Sequence, residues 1–423
     1  MVTHKGLINL RGNILLAGGG IICVIVLAIA AIFALYGAST EAGQKSSTGR
    51  VSQAKGNQSS LLTSEDVLRI MARVKPDQID SKLSLRSKSG RILKLTLTID
   101  PVMQDYATKL AADSSALQTS VVAMDPRDGR IIALAENDQL GSRGFLSLNA
   151  DYPAASIFKV VSAAAALERA GFSPEKTVSF SGNQHTLYKS QLKEKNSRYT
   201  TKTSFRKAFA SSINPVFGKI GIYYLGHDVL KSYGERFYFN RKIPFDMPMS
   251  LSRLDVPADS FGLAEVASGF NKDTVMSPLH AALLAASAAN DGVMVRPRIV
   301  DSVMSDEGKI VYRGKGGIIS RVISSETAAA LRVLMKETVT KGTCKKSFSK
   351  LVRSKSAKNV TLGAKTGSIH DRLGRFKLDW TTAFALPPDS RNPITVAVLN
   401  VHGEKMGVKA NEIASMMIKR WLR

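Results

Sequence analysis

Segments with the alternating pattern of β-strands occur near both ends of the chain, and helical patterns occupy the stretch between them. The early strand candidates are "ILKLTLTI" (92–99) and a hairpin-like pair, 119–125 and 129–136. The middle of the chain, about 156–290, has its apolar residues mostly at helical spacing. Strands at both ends of a helical middle predict an α+β fold.

Further segments support this order of elements. Strand patterns return at 360–369, 380–387 and 394–401, and an amphipathic helix is expected over 411–422. Asp100 and Pro101 have the residue types of an N-cap and a first helical residue. Other helices are expected to begin at Thr63, ending before Pro76, and to extend over 277–290.

An uncharged N-terminal run predicts a membrane anchor. Residues 14–36 contain no charged side chain, and 23 apolar residues are long enough to cross a bilayer as a helix. Tyr36 is a large residue at a position where a signal-peptide cleavage site needs a small one. The sequence therefore favours an uncleaved anchor over a cleaved signal peptide. Small residues at Ala30, Ala34 and Ala38 form a ladder that could contact a partner transmembrane helix, although alanine is common in such spans.

The anchor divides the chain into expected regions. A stretch rich in Ser, Gly, Gln and Thr follows it and predicts a flexible tether. In chain order, we expect a cytoplasmic N-terminus at 1–13, the anchor at 14–36, the tether at 37–60, a short juxtamembrane segment at 61–90 and the main domain at 91–423.

The net charge of +25 indicates an anionic partner. Basic residues cluster at 193–207 and 336–358, which we interpret as loops. No zinc-finger, RNP-like or P-loop pattern accompanies them, so we expect no nucleic-acid partner and neither metal nor cofactor. For a membrane-anchored chain, an anionic lipid or wall polymer is the favoured partner of these basic loops, with simple solvation as the alternative.

Ser156 and Lys159 open the apolar helix "SIFKVVSAAAAL". A serine before an apolar run is an ordinary N-cap, but a lysine is the wrong charge for the first turn of a helix. Residues at i and i+3 share one helix face, so the amine is expected beside the hydroxyl. Burial would lower the pKa of the lysine and make it a usable base. Ser-x-x-Lys also occurs at several other positions in the chain, but only this copy opens a long apolar helix.

Two downstream motifs give this pair its context. Ser212 and Asn214 form a Ser-x-Asn pattern, which alone is common and equally fits a helix cap. Lys365 begins a Lys-Thr-Gly sequence that occurs once, on a predicted strand, where a solvated edge-strand lysine is the alternative. The order of the three patterns along the chain favours a shared catalytic site over three unrelated features.

Together these motifs resemble those of penicillin-binding proteins and serine β-lactamases. The likeness includes "TLTIDPVMQ", "VVAMDPRDGRIIALAEN" and "SPLHAALLAASAANDGVMVRPRIV", which are similar to stretches of the class B penicillin-binding transpeptidase domain, and it extends over roughly 91–423. In chain order, the motifs are Ser156-x-x-Lys159, Ser212-x-Asn214 and Lys365-Thr366-Gly367.

The resemblance implies the α+β transpeptidase fold, in which an antiparallel sheet is flanked by helices and accompanied by an all-helical subdomain. It also implies acyl transfer from D-Ala-D-Ala stem peptides, and reaction with penicillin. Ser156 would be the nucleophile and Lys159 the base that accepts its proton. Lys365 and the Ser212 hydroxyl would supply the positive field and relay a proton to the leaving amine. The oxyanion hole would consist of the backbone N–H groups of Ser156 and Ser368.

The same resemblance implies the substrate-binding residues. Asn214 would bind the substrate amide, and Thr366 and Ser368 would receive the terminal carboxylate together with Lys365. Gly367 would leave room for a peptide to add alongside the strand. Ser368 stands where threonine is commoner, a change that keeps the hydroxyl.

Several functions stay open on these residues. Only about 55 residues separate Tyr36 from Arg91, so the large pedestal usual in class B proteins is missing or vestigial. A D,D-carboxypeptidase fits as well as a D,D-transpeptidase. A membrane-tethered serine β-lactamase is less favoured, because no Glu-x-x-x-Asn lies between Ser212 and Lys365. A non-enzymatic β-lactam sensor or scaffold would not need both lysines. If the substrate is peptidoglycan, residues 37–423 lie outside the cytoplasmic membrane.

Overall fold

The computed structural model describes residues 61–87, 90–142, 144–194, 198–388 and 391–423. The predicted anchor and tether therefore lie outside the described residues. Within the described ranges, the helices are too short or too polar to cross a bilayer.

The described residues form fifteen β-strands, numbered here in chain order. They are β1 Lys82–Arg86, β2 Ile92–Leu97, β3 Gln118–Met124, β4 Ile131–Asp138, β5 Tyr152–Pro153, β6 Thr177–Ser181, β7 Thr200–Ser204, β8 Val275–Met276, β9 Val293–Val295, β10 Val300–Met304, β11 Ile310–Arg313, β12 Ile318–Arg321, β13 Thr361–His370, β14 Lys377–Leu386 and β15 Ile394–His402.

Twelve α-helices are present in the same described part of the chain. They are α1 Ser64–Met71, α2 Pro101–Ala112, α3 Lys159–Arg169, α4 Lys189–Leu192, α5 Phe205–Ala210, α6 Asn214–Ile220, α7 Gly226–Arg236, α8 Ser260–Ser268, α9 Pro278–Ala289, α10 Ser325–Thr340, α11 Lys345–Val352 and α12 Ala410–Trp421.

The centre of the fold is a five-stranded antiparallel sheet in the order β13-β14-β15-β3-β4. Both faces of this sheet are buried. Alternate residues of a strand point to opposite sides of the sheet, so one strand contributes apolar residues to two separate clusters. Val122 and Met124 of β3 belong to the core cluster that includes α9, whereas Val121 and Ala123 belong to the cluster that includes α2 and α12. The sheet flanked by helices confirms the predicted α+β class.

The helical middle contains α3 at its centre. Helix α3 is rich in alanine, a strong helix former, and Val160 and Ala163 are fully buried in it. Small side chains allow α7 and α10 to pack closely against it. The prediction of an all-helical middle was wrong in one respect, because β6 and β7 pair there as an antiparallel hairpin. Their short polar sequences, "TVSFS" and "TTKTS", lack the apolar alternation by which a strand is recognised.

Local signals at the start of the described chain mostly match the structure. Asp100 caps α2, since its Oδ1 accepts a hydrogen bond from Met103 N at 2.9 Å, and Pro101 is the first helical residue. Helix α1 begins after Thr63 as predicted, but it ends at Met71, several residues before Pro76. Strand β1 pairs with β2 in a four-stranded sheet, β1-β2-β10-β11, so residues 61–87 pack with the main domain.

Candidate active site

Ser156 lies in a 3₁₀ turn, Ala155–Phe158, immediately before α3. The N-cap interpretation of this serine was wrong, because neither the turn nor α3 has a side-chain cap. Ala155 has φ of 50°, in the left-handed region that non-glycine residues rarely occupy. Such strain is found mostly where the surrounding structure requires one backbone position, and here it sets the start of the turn that carries Ser156.

Lys159 is the first residue of α3 and is fully buried. Its Nζ lies 2.7 Å from Ser156 Oγ, 2.7 Å from Asn214 Oδ1 and 2.5 Å from the carbonyl oxygen of Ser268. Burial lowers its pKa well below the ordinary value for lysine, and the positive charge of Lys365 lowers it further. The predicted side-by-side arrangement of Ser156 and Lys159 is therefore present, and these surroundings favour the neutral form of the amine.

Hydrogen bonds give the Lys159 amine a defined orientation. Asn214 Oδ1 and the Ser268 carbonyl can only accept hydrogen bonds, so each takes an N–H from Lys159. The third direction of the nitrogen, which carries its lone pair when the amine is neutral, faces the Ser156 hydroxyl. This arrangement is suited to removing a proton from Ser156 Oγ.

Ser212 and Asn214 lie at the start of α6. The helix-cap interpretation of Ser212 was wrong, because Ile213 precedes the helix and no side chain caps it. Ser212 Oγ instead accepts a hydrogen bond from Lys365 Nζ at 2.9 Å, and its φ of 56° is again left-handed. Asn214 Nδ2 donates to the carbonyl oxygen of His185 at 2.9 Å, which fixes the amide so that its oxygen points at Lys159.

Lys365 lies on β13, at the edge of the central sheet. The edge-strand part of the alternative interpretation is correct, but the lysine is fully buried and not solvated. Burial lowers the pKa of Lys365 to about 7. Its Nζ also donates to the carbonyl oxygen of Thr366 at 2.8 Å. Two buried lysines thus approach the serine hydroxyls from α3 and β13, with no carboxylate paired to either among the described ion pairs.

Thr366, Gly367 and Ser368 continue β13 past the lysine. Thr366 Oγ1 lies 2.6 Å from Thr343 Oγ1. A Cβ added at Gly367 would lie 3.1 Å from Ala155 Cβ and 3.2 Å from Ser156 N, so glycine allows the strand to pass close to the nucleophile.

The predicted residues meet at one cleft of about 460 Å³. Six of them line it: Ser156, Ser212, Asn214, Thr366, Gly367 and Ser368. Lys159 and Lys365 lie buried beneath its wall. The structure therefore brings all eight predicted site residues together. Ser204, one of the other Ser-x-x-Lys serines, instead caps α5 by accepting from the backbone N of Lys207.

Sequence patterns did not identify several residues of the cleft. Some of them lie on β14 and at the start of α12, and the others come from separate loops. The residues missed are His185, Gly269, Phe270, Thr343, Lys377, Asp379, Met406, Lys409 and Asn411. None belongs to a motif with a characteristic spacing, so no signal in the sequence marked them.

The two basic clusters differ from the predicted loops. Residues 336–358 include the end of α10 and all of α11, so the loop prediction was wrong for this stretch. Helix α11 is amphipathic: Phe348 and Leu351 are buried on its inner face, and its lysines lie on the outer face. The basic side chains Lys345, Lys346 and Lys350 are exposed.

Comparisons with known proteins identify the family of this chain. The family model for the penicillin binding protein transpeptidase domain matches residues 119–419. The peptidoglycan D,D-transpeptidase PbpA of Mycolicibacterium smegmatis is 26% identical over 75% of this chain and 69% of the relative, and that of Mycobacterium tuberculosis is 27% identical over 67% and 62%. The alignments thus leave about a third of each relative's length unmatched.

A solved structure gives the same result for the fold. The imipenem acyl-enzyme complex of penicillin-binding protein A from M. tuberculosis superposes with a TM-score of 0.62 at 25% identity, over 78% of this chain and 79% of that one. The α+β transpeptidase fold expected from the resemblance is confirmed.

Proposed function

Because this chain belongs to the penicillin-binding protein transpeptidase family, we propose that it is a serine peptidoglycan D,D-transpeptidase, acylated at Ser156 by stem peptides and by β-lactams. One observation supports this assignment above the others. The buried Lys159 amine donates N–H groups to Asn214 and Ser268, and its nitrogen lies 2.7 Å from Ser156 Oγ, within reach of the hydroxyl proton.

Acylation follows from this geometry. Lys159 takes the proton of Ser156 as Oγ attacks the carbonyl carbon of the penultimate D-alanine, and an oxygen–carbon bond forms. The carbon–nitrogen bond then breaks, and the proton returns to the departing D-alanine amine through the Ser212 hydroxyl, which Lys365 holds at 2.9 Å. Backbone N–H groups of Ser156 and Ser368 stabilise the oxyanion, a contribution of about 3 kcal/mol per donor.

Substrate binding uses the open side of β13. As an edge strand, β13 presents backbone groups to which an extended peptide can add as a further strand. The terminal carboxylate lies against the hydroxyls of Thr366 and Ser368, with Lys365 as the nearby cation. Asn214 binds the peptide amide, and the absence of a side chain at Gly367 keeps the path clear.

The acyl-enzyme is resolved by an amine acceptor, which makes the reaction a transpeptidation. Among the described residues that line the cleft, Asp379 is the only carboxylate, and its Oδ2 already accepts from Ala410 N at 2.8 Å. The cleft therefore offers little to activate a hydrolytic water, which disfavours a β-lactamase. Carboxypeptidase activity differs only in using water at the same step.

The proposal includes the location of the protein. The uncharged run 14–36 supports a single membrane span, and a peptidoglycan substrate requires residues 37–423 to lie on the extracytoplasmic side. Exposed lysines of α11 support contact with an anionic lipid or wall polymer. The small residues Ala30, Ala34 and Ala38 are the candidate contact surface for a partner transmembrane helix.

The test is the intact mass of the detergent-solubilised full chain after incubation with benzylpenicillin, followed over hours beside Ser156→Ala. We expect a stable mass increase of one penicillin molecule that is absent from Ser156→Ala. An adduct that disappears while free drug is consumed would indicate a β-lactamase. No adduct on the folded chain would contradict the proposal and favour a non-enzymatic scaffold.

A further inference from the structure

Thr343 lies in the short connection between α10 and α11, and its side chain lines the catalytic cleft. Its Oγ1 lies 2.6 Å from Oγ1 of Thr366, the residue that follows Lys365 on β13. Within the described part of the chain, Thr343 is the only hydrogen-bond partner of the Thr366 hydroxyl. A residue outside the three motifs, 23 positions away along the chain, thus contacts a hydroxyl of the Lys-Thr-Gly motif.

The connection that carries Thr343 is held by α10 on one side and by α5 on the other. Thr343 N donates to the carbonyl oxygen of Ala210 at 3.2 Å, and Cys344 N donates to that of Thr338 at 3.1 Å. Cys344 is fully buried. A Cβ added at Gly342 would lie 2.4 Å from the Ala210 oxygen, so only glycine allows this approach to α5. These contacts fix the backbone of Thr343 beside β13.

Thr366 is held at two of its atoms. Lys365 Nζ donates to its carbonyl oxygen at 2.8 Å, and Thr343 bonds its hydroxyl. The first bond fixes the backbone at this position of the strand, but the hydrogen of a hydroxyl can still rotate about the carbon–oxygen bond. The second bond therefore determines where that hydrogen points, and Thr343 is the residue that controls it.

The direction of the bond between the two threonines depends on the ligand. One of two bonded hydroxyls donates and the other accepts. A carboxylate only accepts, so Thr366 must donate its single hydrogen to a carboxylate in the cleft. The Thr366 oxygen is then the acceptor of the 2.6 Å bond, and Thr343 is its donor. Hydrogen bonds aligned in this way, from Thr343 to Thr366 to the carboxylate, polarise and strengthen one another.

We propose that Thr343 is a positioning residue for recognition of the terminal carboxylate, and that it acts through the Thr366 hydroxyl. This inference rests on the proposed function, in which Thr366 receives the carboxylate of a stem peptide or a β-lactam. The ligand class it favours carries a free carboxylate at this end. An ester lacks the charged acceptor, so the aligned pair of hydroxyls contributes less to its binding.

The experiment compares benzylpenicillin with its methyl ester, which differ only at this carboxylate. The second-order rate of acylation is measured by intact mass on the detergent-solubilised full chain. Thr343→Val keeps the shape of the side chain and removes the hydroxyl. It is expected to slow acylation by benzylpenicillin about three- to tenfold, the usual value of one hydrogen bond. The methyl ester should react more slowly than benzylpenicillin with the wild type, but its rate should change less than about twofold in Thr343→Val.

Two further variants separate positioning from a merely structural role. Thr343→Ser keeps the hydroxyl and should restore most of the benzylpenicillin rate. If Thr343 acts through Thr366, the double variant Thr343→Val/Thr366→Val should be no slower than Thr366→Val alone, since the two losses are not additive. Thr340→Val is the matched control, because it removes an exposed hydroxyl at the end of α10 that bonds only carbonyl oxygens of its own helix.

The outcomes are distinct. An absence of acyl-enzyme in the wild type would overturn both the proposed function and this inference. A wild-type acyl-enzyme with the benzylpenicillin rate unchanged in Thr343→Val would overturn only the inference. An equal loss for benzylpenicillin and its methyl ester would assign Thr343 a structural role, and additive losses in the double variant would mean that it binds the ligand directly. Either of these results would also overturn the inference.

Discussion

Lys159 and Asn214 are joined by a 2.7 Å hydrogen bond between Nζ and Oδ1, although 55 positions separate them in the chain. The bond orients the Lys159 amine, because the asparagine oxygen can only accept a proton. It also connects the start of α3 to the start of α6 through two buried side chains. The basicity of Lys159 therefore depends on the chemistry of residue 214.

Asn214→Asp should move the pH profile of acylation to higher pH. A carboxylate 2.7 Å from Nζ would raise the pKa of Lys159, and the protonated amine cannot accept the proton of Ser156. At pH 7 we expect penicillin acylation to slow about 10²-fold, the lower range for loss of a general base. The rate should recover as the pH is raised.

Asn214→Ala is the comparison for this prediction. It removes the hydrogen bond without adding charge, so acylation should slow at all pH values with little shift of the profile. Stopped-flow acylation rates between pH 5 and pH 10 distinguish the two variants. Identical profiles for Asp and Ala would show that residue 214 does not act through the pKa of Lys159.

Lys365 should limit acylation on the alkaline side. Burial lowers its pKa to about 7, so its positive charge is present below that pH and is lost above it. The second-order rate of penicillin acylation should therefore decline above pH about 7, if the ammonium attracts the carboxylate of the drug. Penicillin acylation of Lys365→Met should be slower at every pH, and its rate should not show the decline at alkaline pH. A profile of the same shape in Lys365→Met would assign the decline to another group.

Gly367→Ala should impair the nucleophile more than the fold. The added Cβ would lie 3.1 Å from Ala155 Cβ and 3.2 Å from Ser156 N, so the turn that carries Ser156 must shift by a few tenths of an ångström. Displacements of about 1 Å in an active site cost on the order of 10²-fold in rate, so a roughly tenfold slower acylation is expected here. Gly317→Ala, with open space at its Cβ, is the control. A wild-type acylation rate in Gly367→Ala would argue against tight packing at this point.

His280 should make the protein less stable in acid. The ring is fully buried on α9, with Nδ1 2.7 Å from Ser252 Oγ and Nε2 2.6 Å from the Phe237 carbonyl oxygen. Burial lowers its pKa from 6.5 to about 4, so below pH 6.5 the unfolded chain binds a proton that the folded chain refuses. The free energy of unfolding should fall by about 3 kcal/mol between pH 7 and pH 4 from this group alone.

Chemical denaturation across this pH range measures the effect. His280→Gln should be less stable at pH 7, because its shape and hydrogen bonds differ, but its stability should fall less steeply below pH 6.5. An unchanged slope would assign the acid sensitivity to other groups. His227→Gln changes a partly exposed histidine of α7 and should follow the wild type.

Local patterns in the sequence were sufficient where neighbouring residues determine the structure. The cap formed by Asp100 and the hairpin of β3 and β4 depend on residues a few positions apart, and both are present as predicted. The Ser156–Lys159 contact is equally local, since one helical turn separates the two side chains. The β6–β7 hairpin was missed because its polar strands carry no apolar alternation.

The reactivity of the site was decided by tertiary structure. The sequence alone places a lysine one turn after a serine and orders the three motifs along the chain. Whether Lys159 is a base depends on its burial and on the charge of Lys365, which arrives on a distant strand. His185 and Thr343 enter the cleft from separate loops that follow no sequence period. The pKa of a side chain depends on its desolvation and on the charges close to it in space. The separation of two residues along the chain reveals neither of these.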